Sequence, residues 1–327
     1  MKLLLWVSLA LIHLLTTASL PIGRGCTPPP DAENGYLTET YTDATGQSMT
    51  YYLHIPCNEQ DQRSYPLVLL LHGGGERGQS DNSLEQNRSI LVGDPYVQQW
   101  TSAEVQNQWP GFIVVPQLMD SQQWVDVPSA QGSYHLARQP ARPLLLAKEI
   151  VEALQRTYPD IDPGRLYITG ISIGGYGVWD AIERWPAFFA AAAPVSGGGD
   201  PAGAIKLTHL PIWAFQGAND GDPPASASRA MIQAIRAFGG HPLHTQFPQA
   251  GHDIWLQVYT SRAFLSWLFA QKMPPDRFNL QTQRLVPLYG PDTPVREYVL
   301  TFILFFLVLR LLCLAHNKHN KRKLYKP

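Results

Sequence analysis

Apolar residues along this chain fall into two alternating kinds of stretch: short continuous runs, and longer segments in which they recur every three or four positions. "YLTETYTDATGQSMTYYLHIP" (36–56) alternates polar and apolar and breaks at "DATGQ", which predicts an N-terminal hairpin. "YPLVLLLHGGG" (65–75) and "GFIVVPQ" (111–117) are continuous apolar runs, as expected of strands buried on both faces of a parallel sheet. "RLYITG" (165–170), "FFAAAAPVSG" (188–197), "PIWAFQG" (211–217) and "PLHTQFP" (242–248) predict four more strands. Helical spacing marks 142–158, 172–185 and 225–240, and a last helix is expected over "IWLQVYTSRAFLSWLFAQK" (254–272). Strand and helix in alternation predict an α/β fold: a doubly wound, mostly parallel sheet covered on both faces, in one domain over 30–275.

Two apolar stretches lie outside that pattern. "MKLLLWVSLALIHLL" has one early cation, Lys2, followed by an apolar run and then small residues. That order predicts a signal peptide over 1–18 with cleavage after Ala18. A buried N-terminal helix is the alternative, and such a helix rarely lacks a polar face. Arg24 stands where a lipoprotein signal ending at Cys26 needs a small apolar residue. "YVLTFILFFLVLRLLCLA" (298–315) is long enough, at ~1.5 Å per residue, to span ~27 Å of a ~30 Å hydrocarbon core. Arg310 lies close enough to its end to reach the headgroups. The tail 316–327 carries Lys318, Lys321, Arg322, Lys323 and Lys326 and no acid, which predicts a cytoplasmic C-terminus. Residues 276–297 are expected to be a linker. A C-terminal docking helix is the alternative to the membrane span.

Composition narrows the class only slightly. The 327 residues are 45% hydrophobic and 16% charged, with a formal net charge of −1, so no charge excess points to nucleic acid. Three cysteines, Cys26, Cys57 and Cys313, show no zinc spacing, and there is no HExxH. Cys26 and Cys57 are candidates for a disulfide in an oxidising compartment. No cofactor and no metal are expected.

"GISIGGYGVWD" (170–180) places Ser172 between a buried strand and a helix, with Gly170 and Gly174 two residues to either side. A serine on such a corner is presented as a nucleophile at the sheet's carboxyl edge, and its neighbours must be tiny. Outside a strand-to-helix junction the pattern is only a tight turn. A serine nucleophile needs a base and donors for an oxyanion. "HGGG" (72–75) follows an earlier strand, and its Gly74 N–H, with the Ile173 N–H beside the nucleophile, fits the second need. A flexible loop tip is the bland reading of those glycines. Acid and histidine follow the serine in chain order. Asp220 comes just after the 211–217 strand, with Asp222 as a rival. His252 sits in a glycine-flanked loop before a helix and is favoured over His241 and His244.

With these residues in place, the stretch from about Ser64 to Lys272 resembles the α/β-hydrolases of the esterase and peptidase group akin to feruloyl and acetylxylan esterases and polyhydroxybutyrate depolymerases. The resemblance is carried by "PLVLLLHGGGERG", "FIVVPQ" followed by Trp124, "IDPGRLYITGISIGGYGVWD", "PIWAFQGANDGDPP" and "AGHDIW". It implies Ser172, Asp220 and His252 as a catalytic triad. Gln216, where such proteins usually carry His, and Pro223, where an aliphatic residue is usual, depart from the pattern; neither is expected to touch the triad. The short interval from Ser172 to Asp220 leaves no room for a large lid, so an open cleft is expected. Its walls are expected from 76–110, with Trp100 and Trp109, and from 118–140, where Trp124 is a candidate substrate-binding residue.

The expected activity is hydrolysis of carboxylic esters with short or aromatic acyl groups, or of acylated carbohydrate. A serine peptidase acting on small peptides, or a membrane-tethered binding module without turnover, is the alternative. The expected location is a membrane, crossed once by 298–315, with the hydrolase domain extracytoplasmic. Protease added to intact cells or spheroplasts should then digest the body and spare a short C-terminal fragment. Protection of the body together with digestion of a C-terminal tag would mean the opposite orientation.

Overall fold

The hydrophobic runs become a single twisted sheet in the computed structural model, which describes residues 34–57, 64–127 and 132–274. In chain order the elements are β1 (Leu37–Thr42), β2 (Ser48–His54), β3 (Tyr65–Leu71), α1 (Leu84–Val92), α2 (Pro95–Gln98), α3 (Ala103–Gln108) and β4 (Phe112–Pro116). There follow α4 (Arg142–Thr157), β5 (Ile161–Ile171), α5 (Ile173–Arg184), β6 (Ala191–Val195) and β7 (Trp213–Gly217). The last are α6 (Ala225–Ala237), β8 (Leu243–Phe247), α7 (Trp255–Tyr259) and α8 (Arg262–Ala270). The sheet order is β1-β2-β4-β3-β5-β6-β7-β8. The β1–β2 hairpin joins antiparallel to β4, and β4 through β8 run parallel. The hairpin turn is held by Asp43, whose Oδ1 accepts from the N–H groups of Thr45 (2.7 Å) and Gln47 (2.9 Å).

Every residue of β3, β4 and β6 is buried, because helices cover both faces. Leu67, Leu69 and Leu71 of β3 point into one core with Leu144, Ile150, Val151 and Leu154 of α4, Val178 and Ile182 of α5, and Met231 and Ile235 of α6. Each such side chain, fully buried, adds ~1.5–3 kcal/mol of hydrophobic stabilisation. The period of two along β5 sends Tyr167 and Thr169 to the opposite face. There the Tyr167 hydroxyl donates to Gln271 O (2.6 Å), and the Thr169 and Tyr259 hydroxyls lie 3.0 Å apart. Trp100 packs on Tyr259 in the same layer.

Two expectations need correction. The segment 254–272 is two helices, because the Ser261 hydroxyl accepts from Phe264 N–H (3.4 Å) and starts α8 as a new helix from an extended residue. The segment 76–110 is built of α1, α2, a 3-10 turn (Gln99–Thr101) and α3, with Trp100 fully buried and Trp109 stacked on Phe269. Neither tryptophan is a free cleft wall. The expected signal segment 1–18, linker 276–297, membrane stretch 298–315 and tail 316–327 lie outside the described residues, as do Cys26 and Cys313. Among the described residues, no helix is long and apolar enough to cross a membrane.

Candidate active site

Parallel strands deliver their following loops to one edge, and three candidate side chains meet there. Ser172 sits between β5 and α5 with φ 54° and ψ −120°, a conformation that L-residues rarely adopt. Its own N–H is tied to Val195 O at the end of β6 (3.0 Å). The corner closes only because its neighbours lack side chains. A Cβ on Gly174 would lie 2.1 Å from Leu71 O, and one on Gly170 would lie 2.7 Å from the same oxygen.

The Ser172 Oγ is 2.9 Å from His252 Nε2, and His252 Nδ1 is 2.9 Å from Asp220 Oδ2. An ionised carboxylate only accepts, so Nδ1 carries the proton and Nε2 is the free acceptor facing the serine hydroxyl. Asp220 comes from the loop after β7 and His252 from the loop after β8. The two loops are joined by Asn219 N–H to Ala250 O (3.0 Å). The Asp220 side chain is fully buried, while the imidazole is 34% exposed, so the carboxylate is shielded and the ring is reachable from solvent. Asp222 contributes its backbone N–H to Asp220 Oδ1 (3.1 Å) rather than its carboxylate to the histidine. His244 approaches Ser228 of α6 instead (3.4 Å), and His241 is exposed ahead of β8.

The loop after β3 lies alongside, since Leu71 of β3 is in register with Gly170 of β5. Its conformation is set by His72, which is completely buried. Leu118 N–H donates to Nε2 (2.9 Å), so Nδ1 carries the proton and donates to Gly73 O (2.6 Å). Burial lowers the imidazole pKa to about 4, which keeps this ring neutral and its tautomer fixed. Gly74 is half-exposed beyond it. Ile173 opens α5, and an N–H in the first turn of a helix has no acceptor within the helix. Gly74 and Ile173 thus belong to adjacent elements at the edge that carries Ser172. Among the described residues, no group of three His, Cys, Asp or Glu is arranged to hold a metal.

No family model and no curated protein sequence matches the chain. Solved structures do. A thermostable esterase is 33% identical with TM-score 0.62, the match covering 73% of this chain and 64% of the esterase. The acylaminoacyl peptidase of Pyrococcus horikoshii is 13% identical with TM-score 0.53, over 73% of this chain and 42% of the peptidase. A ferulic acid esterase is 16% identical with TM-score 0.52, over 71% of this chain and 98% of that one. This chain has the α/β-hydrolase fold. It spans less than two thirds of the thermostable esterase and under half of the peptidase.

Within this α/β-hydrolase fold, two sequence-based expectations fail on contact. Trp124 is not a substrate wall: it is fully buried, gives its indole N–H to His72 O (3.0 Å) and packs edge-on to the His72 ring. It braces the loop that carries Gly74. The tryptophan beside the candidate base is Trp255, half-buried, with its ring at 82° to the imidazole and centroids 5.3 Å apart. It sits three residues past His252, and the path of the loop, not that spacing, brings it against the ring. Gln216, expected to stay clear of the three residues, donates from Nε2 to Asp220 Oδ2 (2.7 Å). Pro223, joined to Asp222 by a cis peptide, makes no such contact with them.

The steric account of the corner separates two glycines of similar appearance. Gly174→Ala should destabilise the protein by about 1–3 kcal/mol or more, because the added methyl meets backbone oxygen that cannot swing away. Gly75→Ala, with nothing within 4 Å of its added carbon, should stay within about 0.5 kcal/mol of the parent. Urea unfolding of the two variants measures both; equal losses would contradict the packing account.

Proposed function

We propose that this chain is a serine hydrolase that cleaves carboxylic esters through an acyl-enzyme. The observation that carries the reading is the continuous line of hydrogen bonds from Ser172 Oγ through His252 to Asp220, with both links at 2.9 Å. In the first half-reaction His252 Nε2 takes the Ser172 proton as Oγ bonds to the ester carbonyl carbon. The N–H groups of Ile173 and Gly74 receive the oxygen as it gains charge. His252 then passes its proton to the departing alkoxide, leaving the acyl group on Ser172. In the second half water takes the place of the serine, delivers its proton to Nε2, and the acid leaves as Oγ is reprotonated. Asp220 holds the imidazole tautomer and offsets the positive charge on the ring.

The choice of esters over amides is supported by the 33% identical esterase, and Trp255 beside the partly exposed imidazole is an aromatic side chain on which an acyl group or a sugar ring can pack. Short acyl, aromatic acyl and acylated carbohydrate esters form the proposed substrate class. Residues 298–315 are proposed to hold the hydrolase at the outer side of a membrane.

A panel of nitrophenyl esters, feruloyl esters, acetylated xylan and peptide amides tests the class, with turnover expected on esters. Ser172→Ala should lower ester turnover by several orders of magnitude. Asp220→Asn should cost roughly 10⁴-fold, as in serine-protease triads, and Asp222→Asn far less. Turnover of amides alone, or the reverse ranking of the two aspartates, would overturn this reading.

A further inference from the structure

The buried Asp220 carboxylate has more donors than a Ser-His-Asp line requires. His252 Nδ1–H and Gln216 Nε2–H converge on the same oxygen, Oδ2, at 2.9 and 2.7 Å, while Asp222 N–H takes Oδ1 at 3.1 Å. Gln216 lies within β7, is 0% exposed, and leaves its own Oε1 buried without a hydrogen-bond partner among the described residues. Turning the amide over would set an oxygen against the carboxylate, so this orientation is dictated by Asp220. A side chain kept only to fill space would not bury an unpaired acceptor.

The geometry points to Gln216 as a positioning residue: its amide N–H fixes Asp220 through the oxygen that serves His252 and tempers the carboxylate's hold on the imidazolium. This rests on the serine-hydrolase reading above. A carboxylate beside a histidine favours the protonated ring, and a second donor on the same oxygen draws off part of that negative charge. The other ionisable groups around the pair are Asp222 in the same loop, Asp253 next to the histidine and exposed, and Tyr176 of α5, whose phenol feels both Asp220 and Asp222. None changes when Gln216 is replaced.

The test is the pH profile of kcat/KM for ester hydrolysis by the full-length protein and three variants. Gln216→Met and Gln216→Asn remove the donor, the second by shortening the side chain. Each should move the acid limb up by about half to one pH unit and lower the plateau roughly tenfold. Gln216→His, which offers a ring N–H at similar reach, should restore most of both. A folded Met or Asn variant with an unshifted limb overturns the assignment. Loss of the cooperative unfolding transition in both also overturns it, by making Gln216 a folding residue only. Absence of turnover in the parent protein, by contrast, would sink the hydrolase reading itself.

Discussion

Ser172 is held at φ 54° and ψ −120°, and the site depends on that single strained corner. A non-glycine residue there costs on the order of 1–3 kcal/mol and persists only where its surroundings leave no alternative. They do so here by close backbone packing. Gly170 and Gly174 let the start of α5 press on the carbonyl of Leu71, and the Ser172 N–H is tied to β6. Three neighbouring strands, β3, β5 and β6, therefore fix the serine. The same closeness brings the loop after β3 against the elbow, so Ser172 and the Gly74 loop are positioned together.

The rest of the site relies on buried polar groups whose partners are fixed. His72 is neutral, donates to Gly73 O, accepts from Leu118 N–H and is braced through its own carbonyl by Trp124. Asp220 accepts from three donors. Ser196, a second residue with positive φ (51°), sits beside the histidine loop, its hydroxyl donating to His252 O (3.4 Å). The imidazole, Ser172 and Trp255 remain partly open to solvent. A rigid, buried support beneath a partly exposed imidazole suits the proposed hydrolase.

Much of this was legible in the sequence because it rests on local rules. Continuous apolar runs mark parallel strands, and glycines around a serine mark a strand-to-helix corner. The places of Asp220 and His252 after successive strands follow from topology. What stayed hidden depends on three-dimensional neighbours. Trp124 has the composition of a pocket residue, yet its indole N–H finds His72 O, a partner 52 positions away in the chain. Gln216 is four residues from Asp220 and still unreadable as its partner, because β7 ends between them and the chain turns back. The break before α8 turned on one serine hydroxyl competing with an otherwise continuous helical pattern.

The most direct test of the strained-corner account is covalent labelling of the full-length protein with a fluorophosphonate, followed by peptide mass spectrometry. A nucleophile presented at this corner with His252 as its base should yield one adduct, on the peptide that contains Ser172. Its formation should be lost in His252→Ala while the cooperative unfolding transition is kept. An adduct on a different serine, or labelling of Ser172 that survives His252→Ala undiminished, would contradict the account.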